Sequence, residues 1–282
     1  MEKDLKTENN AKSKNDNKLE IIVISDIHLG PNTSTRPGEE AHNLLDKFIN
    51  KCNLQFQPDF VIELGDRVNN FSHEVDLESA SAVKEKFKKI KCKKIHILGN
   101  HDLHFLTVEE NQKLLGNDIC NSTTIINGYK LITLNSQDPV IEGVGGHIGE
   151  KQLNWLETEL KKDSIPTILL CHHPIDDQSI SENPHFIKFP TFAFVENKSN
   201  ILNVINKFPN IIAFINGHVH WINTSVNRFP YISVPSFIEA WPEKSSAPGM
   251  FTKITIKKNS FIESTFYSLN PEKIIGKFTW TK

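Results

Sequence analysis

Ile21-Ile22-Val23-Ile24-Ser25-Asp26-Ile27-His28 runs four apolar residues straight into an acid and an imidazole two positions apart. A short Ile/Val run bounded by Ser and Asp reads as a buried strand, with the polar pair at its carboxyl end. The arrangement recurs four times. Phe60–Leu64 leads to Gly65-Asp66, and Ile95–Leu98 to Gly99-Asn100-His101-Asp102. Ile168–Leu170 leads to Cys171-His172-His173-Pro174, and Ile211–Ile215 to Gly217-His218-Val219-His220. In an open α/β sheet the carboxyl ends of such strands lie along one edge, where ligands bind. That edge would gather Asp, Asn and several His residues, and such a set reads first as a metal site.

Between and after these strands the period changes. Ala41, Leu44, Leu45, Phe48, Ile49 and Cys52 recur at helical spacing, as do Ala80, Val83, Phe87 and Ile90, and later Leu153, Leu156 and Leu160. Asn127-Gly128 between Ile125-Ile126 and Leu131–Leu134 predicts a hairpin, because that dipeptide suits the turns that match strand twist. Ser199 is placed to cap a helix burying Ile201, Leu202 and Ile205. Beyond His220 the pattern predicts strands at Trp221–Val226, Tyr231–Val234, Met250–Ile256 and Phe261–Phe266. This order predicts an α/β fold of mixed sheets enclosed by helices, as one domain over residues 19–282. The strand-rich segment 250–282 offers an edge for a homodimer. Pro174 to Asn197 is the one long irregular stretch and carries Phe186, Phe189, Phe192 and Phe194. It reads either as a lid at a strand's carboxyl end or as a loop packed down by its phenylalanines.

Composition narrows the class. With 38% hydrophobic and 23% charged residues over 282, the chain has the make-up of a soluble globular protein. A net charge of −2 disfavours a general nucleic-acid binder. No apolar run approaches the ~20 residues of a membrane helix. Residues 1–18 are rich in Lys, Glu, Asp and Asn, lack the apolar core of a secretory signal, and read as a disordered polar tail. Cys52, Cys92, Cys120 and Cys171 form no Cys-x-x-Cys pattern, so reduced thiols in a cytoplasmic protein are expected.

The residue types at the strand ends carry a specific chemistry. Asp and neutral imidazole suit Zn, Mn, Fe or Co, and the Asn carbonyl adds a weaker oxygen ligand. Asp26 and His28 can chelate one ion from a turn. Gly65 lets the backbone bend so that Asp66 can bridge two ions, and His218 and His220 would point the same way if extended. Two ions ~3.5–4 Å apart can hold a bridging hydroxide and clamp a phosphoryl oxygen. With only Asp26 and Asp66 charged, the loaded site keeps about +2, which suits phosphoester hydrolysis better than peptide hydrolysis. Any one of these pairs alone reads more readily as structural; five in series do not.

Taken together, Ser25-Asp26-Ile27-His28, Gly65-Asp66, Gly99-Asn100-His101-Asp102, His172-His173-Pro174 and Gly217-His218-Val219-His220 resemble the five motifs of the calcineurin-like metallophosphoesterases. Within them the His-His-Pro form and the Gly149–Leu160 helix with Trp155 are similar to the bacterial class III cyclic-nucleotide phosphodiesterases and their glycerophosphodiesterase relatives. The resemblance implies a four-layer αββα sandwich of two mixed β-sheets flanked by helices. It implies one metal held by Asp26, His28, Asp66 and His220, and another by Asp66, Asn100, His172 and His218. His101 would touch the scissile phosphate and assist the leaving group, while His173 would shape the turn. The implied activity is hydrolysis of a small phosphodiester, a 3′,5′-cyclic nucleotide such as cAMP foremost. Glycerophosphodiesters and phosphomonoesters are the alternatives, and dimerisation is common in that branch.

Departures from related patterns refine this. Phosphoprotein phosphatases follow Gly-Asp with an Asp that pairs with the histidine of Asn-His, then an Arg; here those positions look like Asn69 and Asn70. An amide cannot raise the pKa of His101 as a carboxylate would, which leans toward diesters. Arg67, beside Asp66, is a candidate phosphate contact or a solvent-facing loop residue. A monoesterase would need basic groups for a dianion, with Arg67, Arg36 and nearby lysines available. UDP-diacylglucosamine pyrophosphohydrolases share a Ser-Asp-x-His-Leu start but usually carry Arg in place of His101. A non-catalytic scaffold typically loses a ligand, and none is lost here. His42, His73, His96, His104, His147 and His185 gain no role from position alone.

Overall fold

The computed structural model describes residues 18–116, 119–181, 183–241, 246–257 and 261–282. The tail expected over residues 1–18 lies outside them, except for Lys18 at the start of the first strand. Fourteen strands and six α-helices alternate along the described chain.

Six strands form one sheet: β1 (Lys18–Ile24), β2 (Phe60–Glu63), β3 (Lys93–His96), β12 (Phe251–Lys257), β13 (Phe261–Leu269) and β14 (Glu272–Trp280). Their order is β14-β13-β12-β1-β2-β3, with β1, β2 and β3 parallel and β12, β13 and β14 joined antiparallel. Six more form the second: β4 (Ser122–Ile126), β5 (Tyr129–Leu134), β8 (Thr167–Cys171), β9 (Ile211–Asn216), β10 (Asn223–Val226) and β11 (Pro230–Ser233). Their order is β10-β11-β9-β8-β5-β4, with a parallel centre and antiparallel edges. A short pair, β6 (Gln137–Asp138) and β7 (His147–Ile148), stands apart.

The two sheets face each other. Leu19, Ile21 and Val23 of the first sheet and Leu131, Ile168, Leu170 and Ile215 of the second fill one apolar core between them. The opposite face of the first sheet packs Ile22, Ile24 and Val61 on α1 (Ala41–Asn50) and α2 (His73–Lys88) through Leu45, Phe48, Val83 and Phe87. The second sheet buries Ile132, Leu134 and Leu169 under α4 (Glu150–Lys161) and α6 (Lys198–Ile205). Strands covered on both faces must be apolar at every position, which is why β1, β2, β8 and β9 read as continuous runs rather than alternating ones. The αββα sandwich is the fold. The shorter α3 (Val108–Leu115) is closed by a Thr107–Glu110 capping box, and α5 (Pro184–Lys188) lies in the long irregular stretch.

Some expectations shift. The helix expected from Ser199 starts at Lys198 after Asn197, with no side-chain cap, so Ser199 sits inside it. The strand expected from Trp221 begins only at Asn223, because His220 and Trp221 are part of the turn below. β14 falls in the segment read as strand-rich, but the sequence pattern does not set its limits.

Candidate metal centre

The strand-end motifs meet where the sheets abut. Ser25 to His28 follow β1, Gly65 and Asp66 follow β2, Asn100 and His101 follow β3, and His172 and His173 follow β8, with His218 and His220 after β9. Backbone hydrogen bonds lock these turns together: Asp26 N to Gly65 O at 3.0 Å, His28 N to Asp66 O at 3.0 Å, and Gly217 N to His172 O at 3.0 Å.

The turns are strained. Asp26, His28, Asp66, His218 and His220 all have φ between +42° and +67°. Non-glycine residues rarely adopt that region, and each costs on the order of 1–3 kcal/mol unless its surroundings impose it. Gly217 allows the close approach: a Cβ there would collide with Ser25 Oγ and lie 2.8 Å from Asp26 Oδ2. The positive φ at both histidines also overturns the extended reading of His218-Val219-His220. The two rings diverge into different clusters.

One cluster is Asp26, His28 and His220; another joins Asp66 to His28 and His101; Asp66 also lies with Asp26 and His172. A further group is His172, His173 and His218, all buried. Asp26, His28, Asp66 and His172 each belong to two of these groups, and Asp66 stands between the His28 and His172 rings. Its Oδ2 is 3.8 Å from His28 Nε2 and 3.3 Å from His172 Nε2, and Asn100 Oδ1 is 3.2 Å from the same His172 nitrogen.

The outer ring nitrogens are already committed. His28 Nδ1 donates to Val68 O at 3.2 Å, His172 Nδ1 to Leu64 O at 2.8 Å, and His218 Nε2 to Phe192 O at 2.7 Å. His220 Nδ1 meets Glu239 Oε2 at 2.9 Å. Such contacts fix the tautomer and turn the remaining lone pair of each ring inward, the arrangement that metal-binding imidazoles adopt. Asp26 Oδ1, meanwhile, is buried without a hydrogen-bond partner. The donor set, its convergence and that orphaned oxygen fit divalent metal ions.

Without a cation, protons must take that place. Burial opposes it, yet Asp26 and then Glu239 hold His220 up at about 9, and Asp66 holds His172 up at about 9. Burial also resists the ionisation of Asp66, but His172 and His101 hold its carboxyl well below the usual value.

A family model for calcineurin-like phosphoesterases matches residues 19–221. The chain belongs to this family. This calcineurin-like phosphoesterase is a metal-dependent phosphoester hydrolase. It is 27% identical over 182 residues, 60% of this chain and 67% of the other, to a probable cyclic nucleotide phosphodiesterase of Synechococcus sp.. It is 22% identical to a manganese-dependent ADP-ribose/CDP-alcohol diphosphatase of Arabidopsis thaliana, over 63% of this chain and 70% of the other. Its fold superposes with a TM-score of 0.73 on a dimetal phosphatase from Danio rerio, covering 93% of this chain and 98% of that one at 14% identity.

A cavity of about 900 Å³ opens above the phosphoesterase centre. Asp66, Asn100, His101, His218 and His220 form its floor, and its walls include Trp221, Trp241, Val140, Ile141, Phe186 and Phe192. In the 174–197 stretch Phe186 is buried with its ring tilted against that of His218, centroids 5.1 Å apart, and Phe186 and Phe192 both line the cavity. His185 and His104 also line it; His147 instead pairs with Glu196.

Arg67 is a correction. It is neither a phosphate contact nor solvent-facing. The side chain is fully buried, paired with Glu63 and Asp102 at 2.5 and 3.0 Å, and donates to Ile97 O. Asp102 in turn accepts from the backbone N–H groups of Asp66, Arg67 and Gly99, all at 2.9 Å. This buried network ties the second and third motifs together beneath the site.

The partner of His101 is Asn70 and not Asn69, to which the sequence pattern assigns the pairing position. His101 Nδ1 lies 2.8 Å from Asn70 Oδ1, while Asn69 turns away to Pro31 O. Burial, against the pull of Asp66, pushes His101 down to about 4. His173 Nδ1 meets Ser136 Oγ at 2.7 Å, and its ring lies tilted against that of His218, centroids 3.9 Å apart. Glu239 was missed in the sequence; it follows the last motif by nineteen positions, in a Ser-Phe-Ile-Glu segment with no strand-end signature.

Proposed function

We propose that this calcineurin-like phosphoesterase is a dinuclear phosphodiesterase for small nucleotide diesters, 3′,5′-cyclic nucleotides foremost. The observation that carries the reading is the place of Asp66 in the cavity lining, its Oδ2 3.8 Å from His28 Nε2 on one side and 3.3 Å from His172 Nε2 on the other. One ion would be held by Asp26, His28, Asp66 and His220, and the other by Asp66, Asn100, His172 and His218. When bound, two such ions supply an activated water and neutralise charge on phosphoryl oxygens.

The chain's own residues do the rest. The Asp66 carboxylate accepts from His101 N at 2.8 Å and so fixes the position of the His101 ring. Asn70 orients that ring so that Nε2 faces the cavity, beside the site of the scissile phosphate. Trp221 and Trp241, with Val140 and Ile141, give apolar walls against which a nucleobase can stack. Glu239 and Arg36 offset each other, so the loaded site keeps the expected surplus of about +2. The name of the Synechococcus relative supports the cyclic-nucleotide choice.

The test is hydrolysis of bis(p-nitrophenyl) phosphate, p-nitrophenyl phosphate, cAMP and ADP-ribose with Mn²⁺ and with chelator. Metal-dependent turnover of cAMP and of the synthetic diester supports the reading. Preference for ADP-ribose moves it to the diphosphatase chemistry of the Arabidopsis relative's name. Preference for the monoester moves it to a phosphatase.

A further inference from the structure

Arg36 reaches into this site from a loop built to hold it. Thr33 N donates to Arg36 O at 2.9 Å, Arg36 N to Thr33 Oγ1 at 3.2 Å, and Gly38 N to Arg36 O at 2.9 Å. Asn32 and Glu39 close the loop through Glu39 N to Asn32 Oδ1 at 3.1 Å and Asn32 Nδ2 to Glu39 Oε2 at 3.2 Å. Ala240 N to Thr35 O at 2.8 Å fastens it to the segment carrying Glu239.

The guanidinium so placed is half-buried and forms no ion pair among the described residues. Asp66, Glu239 and Asp26 act on it only through space. Its near neighbours are two imidazoles: Nη1 is 3.3 Å from His28 Nδ1 and 3.4 Å from His101 Nε2. The first is no acceptor, because His28 Nδ1 carries the hydrogen given to Val68 O. The second is one, because His101 directs its Nδ1 hydrogen to Asn70 and leaves a lone pair on Nε2. Arg36 is also the one lysine or arginine among the described residues lining the cavity. A desolvated cation with so few acceptors is completed by an anion, and a guanidinium is suited to paired phosphoryl oxygens.

We propose that Arg36 binds a non-bridging phosphoryl oxygen of the substrate beside His101, and that it releases His101 Nε2 in doing so. This rests on the phosphoesterase reading of the site. It gives the phosphoryl group a fixed cationic contact from the protein, in the place where His101 offers only a lone pair.

The test uses protein loaded with Mn²⁺ and inorganic phosphate as the probe. Phosphate affinity is measured by calorimetry for wild type, Arg36→Gln and Arg36→Lys, alongside bound metal and the KM for bis(p-nitrophenyl) phosphate. Arg36→Gln is expected to weaken phosphate binding by about 10–100-fold, the scale of a lost charge-assisted hydrogen bond, with bound metal unchanged. Arg36→Lys, which keeps the charge and loses the fork, is expected to fall between. Equal phosphate affinity in all three proteins overturns the proposal, as does wild type that binds no phosphate. Loss of metal in both variants overturns it too, since Arg36 would then serve the ligands. The titration needs no turnover, so absence of diester hydrolysis would count against the proposed function and leave this result standing.

Discussion

His28 and His220 aim their Nε2 atoms at each other across 3.3 Å. Both rings already place a hydrogen on Nδ1, toward Val68 O and Glu239 respectively. Either two lone pairs repel at that distance, or one buried ring carries a second proton and a charge. A cation between them relieves both costs. Mn²⁺ or Zn²⁺ should therefore stabilise the fold: at a hundredfold excess over Kd a single site contributes about 2.7 kcal/mol. In a domain of this size that corresponds to a rise in Tm of about 5–10 °C. A thermal melt with and without chelator measures it, and coincident melts would remove the metal reading.

Asp66 lies between the two sides of the centre, its Oδ2 3.8 Å from His28 Nε2 and 3.3 Å from His172 Nε2. Replacing it by Ala takes a carboxylate from both proposed ions, and Asn100→Ala removes an oxygen from one. Both variants should lose at least about 100-fold in kcat while keeping the circular dichroism of the wild type. Asp66→Ala should also hold fewer metal ions per chain than Asn100→Ala, as read by elemental analysis. Near-normal turnover in either would sink the assignment.

Glu239 stands behind His220 and was not signalled by any motif. Glu239→Gln keeps the shape and removes the charge that anchors the His220 Nδ1 hydrogen. Partners of this kind influence metal affinity by roughly 10–100-fold. Competition with a chromogenic chelator should show that loss in Glu239→Gln, and a control such as Glu142→Gln should not. Equal retention in both would make Glu239 a simple wall of the cavity.

Much of the sandwich was legible because its central strands are buried on both faces, so Ile21–Ile24 and Ile211–Ile215 stand out as unbroken runs. The limits of β14 were not, since Glu272, Lys273, Gly276 and Lys277 break up the apolar pattern of an edge strand whose pairing runs only to β13. The convergence of Asp26, His28, Asp66, His172, His218 and His220 followed from strand-end placement alone. What failed was anything set by a long-range partner. Arg67 looks like a phosphate contact until Asp102, thirty-five positions on, is seen to pair with its buried guanidinium. His218 and His220 could not be separated without the positive φ at each.

The fate of Arg67 leads to a prediction about stability rather than ligand binding. Arg67→Met leaves Glu63 and Asp102 buried without their cation, a loss that typically costs about 3–5 kcal/mol. Urea denaturation of the metal-free protein should show a drop of that order. A variant as stable as wild type, yet with weakened phosphate binding, would restore Arg67 to the substrate side.

His218 receives its orientation from the long stretch after β8, through the Phe192 carbonyl that accepts from Nε2. Gly145 presses on the same carbonyl: a Cβ at this position would collide with Phe192 O. Gly145→Ala must therefore displace the carbonyl, and with it the ring that depends on it. The expected result is weaker retention of one metal ion, by about 10-fold, with the other less affected because, among the described residues, Asp26, His28 and His220 make their hydrogen bonds elsewhere, to His218 N, Val68 O and Glu239. Stepwise chelation monitored by metal release distinguishes the two ions. If both leave as in wild type, the stretch closes over the cavity without tuning the centre beneath it.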